Sequence, residues 1–498
     1  MIPLILDYDL SSIQEARDLA RKAREAQNKF EKYTEQQIEK ILIAMVEAAE
    51  DNASWLAKMA VDETGYGVFE HKVIKNLFAA RDVYEKIKDI KTVGIINEDK
   101  NLQIVEAAVP VGVILALTPT TNPTSTVIHN AIIAIKAGNA IVFSPHPNAV
   151  KCSTATVQLL HEAAVKAGAP EGLISNVTQP SMKATSELMH HENVAVIVAT
   201  GGSAMVRAAY SAGKPAFGVG PGNVPVFIER SADIQQAVKD IINSKTFDNG
   251  MICASEQAIL VDEPVKNEVI SELKKQGAYF LSKEEVEKVS KVVMKPNGAM
   301  NPALVGQPAK FIADKADICV PVTTRILIAP LEGCGPGYPL SYEKLTTVLG
   351  FYVVKNWEEG CCLSIELLKL GGIGHTFSIH SKNDEIIREF IRKPVFRILV
   401  NTPAALGAIG YSTGLLPSLT LGCGTWGGSS ISDNLGPQHL INIKKLAYGL
   451  KRVELNESRN EPKNENCLLQ QDEIADIVKQ VLRQMQNQRS DVRSQKSG

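Results

Sequence analysis

The sequence predicts an α/β fold in which helices cover parallel strands, and three features of the chain predict it. Residues 10–90 have the composition and apolar spacing of helices. From about residue 103, short runs rich in β-branched residues alternate with helical segments, which is the pattern of βαβ units. A second region of this kind extends from residue 233 to about residue 420. The length of 498 residues predicts two or three domains.

The predicted elements follow one another in a regular order. In the N-terminal helices, apolar residues recur at helical spacing, as at Ile38, Ile41, Met45 and Ala48. The first α/β region is predicted to contain strands at 111–117, 140–143, 174–177, 194–199 and 224–228, and helices at 123–137, 147–167, 181–189 and 203–212. This alternation is typical of a dinucleotide-binding domain. The second region begins with a helix at 233–245 and a strand at 258–261.

Toward the C-terminus the sequence predicts a linker and an amphipathic helix. Residues 455–467 are polar and without periodicity, which is typical of a solvated linker. Behind Asp472 as N-cap, apolar residues then recur at helical spacing, at Ile474, Ile477, Val478, Val481, Leu482 and Met485. Such a helix either binds a partner, forms a coiled-coil oligomer or packs on its own subunit.

Composition and charge favour a small-molecule function. The formal net charge is −2, so no basic excess indicates nucleic acid. The start of the chain lacks the basic region of a secretory signal, and the longest near-apolar run, 107–117, is broken by Pro110 and Gly112. We therefore expect a soluble protein without a membrane partner. Eight cysteines without a CxxC pair are typical of a reducing cytosol, and we expect no metal site.

Cys253 is the candidate nucleophile. It follows the turn signal Asn249-Gly250 and precedes the β-rich run 258–261, so its thiol is predicted to lie on a loop that enters a strand. Backbone amides at such a turn can face a carbonyl oxygen while the thiolate attacks the carbonyl carbon. The alternative is a small apolar side chain at the start of a strand. The loop alone leaves both interpretations open.

Asn122 is a candidate donor to an oxyanion. Residues 118–125 end a strand and start a helix, which places Asn122 at the carboxyl edge of a sheet, where ligands bind. Its amide can donate to an oxyanion there. Alternatively, an Asn before Pro123 caps the helix, and the spacing alone favours the cap.

Two glycine-rich loops are candidates for phosphate binding. Residues 200–203 join a predicted strand to a predicted helix, so free backbone amides can face a phosphate. Residues 218–223 precede a strand instead of a helix, and this loop therefore does not fit a Rossmann fingerprint.

Taken together, seven segments resemble the aldehyde dehydrogenase superfamily. The similarity is to its CoA-acylating branch, which includes the N-terminal half of bifunctional aldehyde-alcohol dehydrogenases, and it covers about residues 15–450. The segments that carry it are 118–125, 139–147, 199–202, 244–257, 342–345, 371–376 and 417–424.

The resemblance implies an aldehyde dehydrogenase-like architecture in three parts, namely a Rossmann-like NAD-binding domain, a catalytic domain, and a β-hairpin arm that bridges subunits together with the C-terminal strand. Residues 1–230 form a Rossmann-like NAD-binding domain with a β-hairpin oligomerisation arm near 96–110. Residues 231–420 form a catalytic α/β domain that carries the cysteine. Residues 421–454 are a return segment with an oligomerisation strand. The linker at 455–467 and the helical tail at 468–498, which composition and periodicity predict, lie beyond the resemblance.

The resemblance also implies roles for individual residues. Cys253 is the nucleophile, and Asn122 together with the Cys253 backbone amide forms the oxyanion hole. Glu343 aligns with a carboxylate that holds the nicotinamide ribose, whereas the role of His375 stays open between CoA and cofactor handling. The implied cofactor-binding residues are Thr118, Ser144, Pro145, Gly201, Gly202, Gly220 and Glu343. Many relatives have a lysine where this chain has Ser144, which leaves the preference for NAD or NADP open.

One departure from the hydrolytic branch bears on the reaction. Val219 stands where those enzymes have a general-base glutamate, so no side chain is ready to activate water against a thioester. A thiol acceptor such as coenzyme A needs less help. The implied activity is NAD-dependent oxidation of acetaldehyde or propionaldehyde, with CoA, to an acyl-CoA. The alternatives are another small aldehyde such as sulfoacetaldehyde, or hydrolysis to the free acid.

The resemblance further implies partners and a location. The enzyme is expected to be a homodimer or tetramer. The helix at 472–486 is similar to the peptides that recruit enzymes to bacterial microcompartments through a shell protein. The expected location is therefore the bacterial cytoplasm, inside such a microcompartment.

Overall fold

The computed structural model describes residues 7–296, 298–453 and 471–494. The chain divides into two compact units, one within residues 1–446 and one from residue 447 onward. Among the described residues, no helix is both long enough and apolar enough to cross a membrane.

The N-terminal region is helical, as the sequence predicts. Helix α2 begins with a capping box, in which the side chains of Thr34 and Gln37 each accept from the backbone N–H of the other. Ile38, Ile41 and Met45 are buried on one face of that helix. The five helices are α1 (Tyr8–Phe30), α2 (Glu35–Asp51), α3 (Ala53–Thr64), α4 (Phe69–Leu77) and α5 (Val83–Ile87), with a π-helical turn at Phe78–Asp82.

The first large sheet has five parallel strands in the order β5-β4-β3-β6-β7. Its strands are β3 (Val113–Thr118), β4 (Ala140–Pro145), β5 (Ile174–Asn176), β6 (Val194–Thr200) and β7 (Ala216–Val219). Its helices are α6 (Pro123–Lys136), α7 (Val150–Lys166), α8 (Met182–His190) and α9 (Ser203–Ser211). Successive strands run outward from β3 to β5 and then return to β6 on the other side of β3. Ligands bind at such a switch point, outside the carboxyl ends of the strands.

The second large sheet has seven parallel strands in the order β10-β11-β12-β9-β8-β13-β14. Its strands are β8 (Val224–Ile228), β9 (Glu256–Asp262), β10 (Ala278–Phe280), β11 (Ile326–Pro330), β12 (Val348–Val354), β13 (Gly374–His380) and β14 (Val395–Val400). Its helices are α10 (Ile234–Thr246), α11 (Lys266–Lys275), α12 (Lys283–Val293), α13 (Ala309–Lys315), α14 (Trp357–Lys369), α15 (Asp384–Glu389) and α16 (Ala404–Ala408).

The pairing of β8 corrects one predicted boundary. The strand lies within residues 1–230, the predicted NAD-binding segment, but it pairs with β9 and β13 of the second sheet. The change from one sheet to the other therefore takes place in the connection 220–223 and not at residue 230. The observed folding class is the predicted one, α/β with two parallel sheets covered by helices.

A third, three-stranded sheet contains the predicted arm. Strands β1 (Gly94–Asp99) and β2 (Ile104–Pro110) form an antiparallel hairpin, and β15 (Ile441–Ala447) is the next strand in the order β1-β2-β15. The Lys445 ammonium lies 3.0 Å from the Glu106 carboxylate and links β15 to β2. Ile95 and Ile443 on this sheet are at least half exposed, at 57% and 50%.

In the second unit, helix α17 spans Gln471–Ser494 and contains the amphipathic stretch predicted at 472–486. The sequence predicts Asp472 as the N-cap of this helix. That prediction is wrong, because Asp472 lies inside the helix that spans Gln471–Ser494. The five apolar residues of its stripe whose side chains are described are each about half exposed, namely Ile474, Ile477, Val478, Val481 and Leu482. The predicted linker at 455–467 lies outside the described residues.

Candidate active site

A cavity of about 520 Å³ lies at the switch point of the first sheet and reaches the cysteine loop. Nine of the ten predicted site residues line it; the exception is His375. Those nine are Thr118, Asn122, Ser144, Pro145, Gly201, Gly202, Gly220, Cys253 and Glu343. The fold thus brings together residues that are up to 225 positions apart in the sequence.

Cys253 lies in the loop between a turn at Phe247–Gly250 and strand β9. The N–H of Ser255 donates to the carbonyl oxygen of Ile252 at 2.8 Å and closes the turn that presents the thiol. Cys253 is half-buried. Burial raises the pKa of its thiol to about 12, and the negative charges of Glu343 and Cys423 act in the same direction, whereas Arg397 opposes them. Cys253 is therefore a protonated thiol at neutral pH.

The turn before Cys253 has an unusual backbone. Asp248 and Asn249 adopt positive φ values of 49° and 52°, although neither is glycine. Each such residue costs about 1–2 kcal/mol and persists only where neighbours fix it. Here the Val68 N–H donates to Oδ1 of Asp248 at 2.7 Å, and Nδ2 of Asn249 donates to the Gly306 carbonyl at 2.8 Å. The loop is held by contacts distant in sequence.

Asn122 precedes helix α6, but its side chain makes no capping hydrogen bond. The interpretation as a helix cap, which the spacing had favoured, is therefore wrong. Instead, Nδ2 donates to the carbonyl oxygen of Met251 at 3.1 Å, and Oδ1 accepts from Nζ of Lys75 at 2.6 Å. Nδ2 also donates to Oγ1 of Thr121 at 3.3 Å. The amide nitrogen thus faces the cysteine loop, which is the orientation that a donor to an oxyanion beside Cys253 requires.

Sequence reasoning missed the charged cluster behind Asn122. Lys72 and Lys75 on helix α4 both contact Oδ2 of Asp248, at 3.1 and 2.6 Å, and all three side chains are buried. The signal in the sequence is that the polar residues Lys72, Lys75 and Asn76 recur at the i, i+3, i+4 spacing of a buried helix face. Polar groups on such a face need partners elsewhere in the fold.

The opposite part of the cavity fits the pyrophosphate and ribose of a dinucleotide. Helix α9 begins at Ser203, shortly after β6 ends at Thr200, and its N-cap is Gly202, which has no side chain to bond the first backbone N–H groups of the helix. A Cβ atom at Gly201 or Gly202 would meet nothing within 4 Å, so the backbone is open to a ligand. The buried hydroxyl of Thr118 has no hydrogen-bond partner among the described residues. Ser144, in contrast, shares a hydrogen bond of 3.0 Å with Thr185.

Glu343 is the sole acidic residue among those described as lining the cavity. Its Oε1 accepts from the N–H of Gly222 at 2.8 Å. Burial raises the pKa of Glu343 to about 7, while the Gly222 N–H and the ammonium groups of Lys245 and Lys344 oppose the rise. Lys344 also donates to the carbonyl oxygens of Leu340 and Tyr342, both at 2.7 Å, and so fixes the loop that carries Glu343.

His375 lies behind the cysteine loop and does not line the cavity. A Cβ atom at Gly222 would approach the Cys253 carbonyl oxygen to 2.2 Å and the His375 ring to 3.1 Å, so only glycine fits between them. Nδ1 of His375 shares a hydrogen bond of 2.9 Å with Thr376, and Nε2 has no partner among the described residues. Burial and Arg397 hold the pKa of His375 well below its usual value, so the ring is neutral.

Val219 and Gly220 line the cavity from the connection between β7 and β8. Val219 is buried in the same apolar cluster against which Cys253 packs. In the part of the chain that the structure describes, no group of three or more His, Cys, Asp or Glu side chains is arranged to hold a metal ion.

The raised pKa of Cys253 predicts how the thiol reacts with an alkylating reagent. Below the pKa, each pH unit increases the thiolate fraction about tenfold. We expect alkylation of Cys253 by iodoacetamide to accelerate about tenfold per unit between about pH 7 and about pH 10, without a plateau. Peptide mass spectrometry measures the rate, and Cys253→Ala gives the background from the other cysteines. A plateau near neutral pH would show that the thiolate is already formed.

Comparison with known proteins places this geometry in a family. The model of the aldehyde dehydrogenase family matches residues 4–288. The bifunctional aldehyde-alcohol dehydrogenase of Escherichia coli is 45% identical over 451 residues, which are 89% of this chain and 50% of that protein. The chain thus spans about half the length of the bifunctional relatives that it matches. The succinate-semialdehyde dehydrogenase (acetylating) of Clostridium kluyveri is 40% identical, over 88% of this chain and 97% of that protein.

Solved structures agree with these matches. An acetylating aldehyde dehydrogenase from Geobacillus thermoglucosidasius has a TM-score of 0.89 at 52% identity, covering 91% of this chain and 100% of that one. A propionaldehyde dehydrogenase from the fucose utilisation microcompartment of Clostridium phytofermentans has a TM-score of 0.78 at 31% identity, covering 86% and 96%. A propionaldehyde dehydrogenase of Rhodopseudomonas palustris, with bound CoA and an acylated cysteine, has a TM-score of 0.78 at 28% identity, covering 87% and 97%.

The family model matches more than half of the chain, and the acylating relatives align along almost their whole length. The resemblance found in the seven sequence segments is confirmed. The cavity joins a loop cysteine to the carboxyl edge of the first sheet, and on the strength of the matches the chain belongs to the aldehyde dehydrogenase family.

Proposed function

We propose that this protein is a CoA-acylating aldehyde dehydrogenase that oxidises a short aldehyde with NAD and releases an acyl-CoA. The observation that carries the proposal is the meeting of the Cys253 thiol and the Asn122 amide in one cavity, with Val219 in its lining at the position of the general-base glutamate of hydrolytic relatives. The acylating relatives and the acylated cysteine of a structural neighbour support it.

The first step is addition of the Cys253 sulfur to the aldehyde carbon. A carbon–sulfur bond forms as the carbonyl π bond opens, the thiol proton passes to solvent, and the carbonyl oxygen gains negative charge. Nδ2 of Asn122 and the backbone N–H of Cys253 stabilise that oxygen, because preorganised donors interact most strongly with the charge that develops in the transition state. NAD, when bound, would accept a hydride from the thiohemiacetal, and the loss of that hydride leaves a thioester on Cys253.

The second step is transfer of the acyl group to a thiol. The sulfur of CoA gives up its proton and attacks the thioester carbon, the bond from that carbon to Cys253 breaks, and the departing Cys253 thiolate takes up a proton in exchange. Water is a poor competitor, because Val219 offers no carboxylate to deprotonate it. Glu343, the acidic residue of the cavity, is engaged by the Gly222 N–H, in keeping with a role in holding the cofactor ribose.

The lining of the cavity favours an uncharged aldehyde. Ile409, Leu419 and Leu421 contribute to it, and no lysine or arginine is found among its described lining residues. A sulfonate or carboxylate on the substrate, or the 2′-phosphate of NADP, would lack a cationic partner there. We therefore infer acetaldehyde or propionaldehyde as substrate and NAD as cofactor. Sulfoacetaldehyde, the substrate in the name of one relative, is the alternative.

The assay that tests the proposal compares products with and without CoA. Acetaldehyde and NAD+ should yield acetyl-CoA and NADH in equal amounts when CoA is present. Without CoA, only about one NADH per active site should form, because the acyl-enzyme then persists. Acetate formed at the same rate in both reactions would instead show a hydrolytic enzyme.

A single substitution tests the role given to Val219. We expect Val219→Glu to increase the yield of free acid relative to acyl-CoA, since a carboxylate there can activate water against the thioester. Val219→Gln is the matched control, because its amide has a similar size and is no general base. Equal acid yields from both variants, each still forming the acyl-enzyme, would contradict the assignment.

The proposal extends to assembly. The three-stranded sheet exposes Ile95, Ile443 and Leu446, and exposed apolar side chains on a sheet favour contact with another subunit. We infer a homodimer or tetramer formed through this arm. Helix α17 exposes an apolar stripe, and one structural neighbour comes from a bacterial microcompartment. Capture of this helix by a shell protein, inside a microcompartment in the bacterial cytoplasm, is the corresponding inference.

A truncation separates the tail from catalysis. Removal of residues 456–498 should leave kcat and KM nearly unchanged, because all residues of the cavity lie between 117 and 421. Residues 468–490 fused to a fluorescent protein should enter microcompartments in cells that make them. Diffuse fluorescence in those cells, or loss of the oligomer on truncation, would favour an oligomerisation helix instead.

A further inference from the structure

We propose that Lys75 is a positioning residue, which fixes the amide of Asn122 in the one orientation that can donate to the oxyanion. The inference rests on the proposed function and deepens it, because it names what prepares the oxyanion donor. Lys75 itself does not line the cavity, so it acts through Asn122 and not on the substrate.

An ammonium group can select one orientation of an amide, because it has only donors. Nζ of Lys75 lies 2.6 Å from Oδ1 of Asn122, and the lysine side chain is 2% exposed. Were the amide reversed, its NH₂ group would face the ammonium donor to donor, and a charge-assisted hydrogen bond would be lost. Lys75 therefore holds Oδ1 on its own side and leaves Nδ2 to face the cysteine loop.

The far side of the amide completes the selection. Nδ2 of Asn122 donates to the carbonyl oxygen of Met251 at 3.1 Å, two residues before Cys253. A reversed amide would place Oδ1 against that carbonyl oxygen, acceptor to acceptor. The observed orientation satisfies both neighbours, and the reversed one satisfies neither.

Asp248 keeps Lys75 in place. Its Oδ2 lies 2.6 Å from Nζ of Lys75 and 3.1 Å from Nζ of Lys72, and Nζ of Lys72 also donates to the carbonyl oxygen of Thr121 at 3.0 Å. Burial raises the pKa of Asp248, but the two ammonium groups outweigh burial and hold it below its usual value. The carboxylate therefore stays ionised. Burial lowers the pKa of Lys75 to about 8, which still leaves the group an ammonium at pH 7, with donors only.

A double-mutant cycle tests the proposal. Lys75→Met should lower kcat/KM for acyl-CoA formation on the order of tenfold to a hundredfold in the wild-type background, with the loss in kcat and little change in the KM for NAD or CoA. In an Asn122→Ala background the same substitution should lower kcat/KM by less than about threefold, since there is no amide left to orient. Equal losses in both backgrounds would overturn the proposal.

Lys136→Met is the matched control for the loss of a buried lysine. Nζ of Lys136 donates to the carbonyl oxygen of Lys88 at 2.7 Å, and the side chain is as buried as that of Lys75 but does not line the cavity. Its effect on kcat/KM should be the same in both backgrounds. If Lys75→Met does not fold, Lys75→Gln, whose amide can accept as well as donate, takes its place in the cycle.

A crystal structure of the Lys75 variant separates this proposal from the proposed function. The side chain of Asn122 should turn away from the Met251 carbonyl when the lysine is lost, whatever reaction the enzyme catalyses. An unchanged contact between Nδ2 and that carbonyl would overturn the positioning role. A wild-type enzyme without CoA-dependent turnover would instead refute the proposed function and leave the structural result to stand by itself.

Discussion

Asp248 is the buried carboxylate on which the arrangement of the site depends. Its carboxylate accepts from the backbone N–H of Val68, the N-cap of helix α4, and from the ammonium groups of Lys72 and Lys75 on that helix. The backbone of Asp248 belongs to the turn that leads to Cys253. Removal of one partner from a buried ion pair leaves an uncompensated charge and is strongly destabilising. The cluster therefore ties the N-terminal helices, the cysteine loop and, through Lys75, the Asn122 amide into one rigid arrangement.

In the proposed reaction the carbonyl oxygen becomes negatively charged, and a rigid arrangement of this kind suits that step. An oxyanion donor is effective when it needs no reorientation as the charge develops. The positive φ values of Asp248 and Asn249 store backbone strain in the loop next to the nucleophile, and the surrounding hydrogen bonds hold that strain. The pKa of the thiol itself is raised by burial, so the thiol is protonated at neutral pH.

Much of the fold could be predicted from the sequence, because parallel strands covered on both faces read as continuous β-branched runs. Strands β3 and β4 are buried along their whole length, and the predicted positions fit them. The predicted boundary at residue 230 lies one strand too late, because β8 belongs to the second sheet. Only its pairing with β9 shows this, since in the sequence β8 looks like one more strand of the first α/β region. Single-sequence patterns carry no information on that pairing.

The residues of the candidate site could likewise be predicted from the sequence only in part. Cys253 and Asn122 stand in loops with turn signals, so local pattern indicated both. Whether the Asn122 side chain caps helix α6 or faces the cysteine loop depends on its contact with Lys75, which is 47 positions away in the sequence. Lys75 is held in turn by Asp248, which is 173 positions away from it. Contacts at such separations arise from tertiary packing and leave only a weak trace, the polar buried face of helix α4.

The central claim is that Cys253 carries the acyl group between the aldehyde and CoA. Incubation of the enzyme with acetyl-CoA alone, followed by digestion and peptide mass spectrometry, tests it most directly by running the transfer backwards. The account predicts an acetyl group on the Cys253 peptide, and its loss when free CoA is added in excess. An unmodified Cys253 peptide, or acetylation confined to other cysteines, would contradict it.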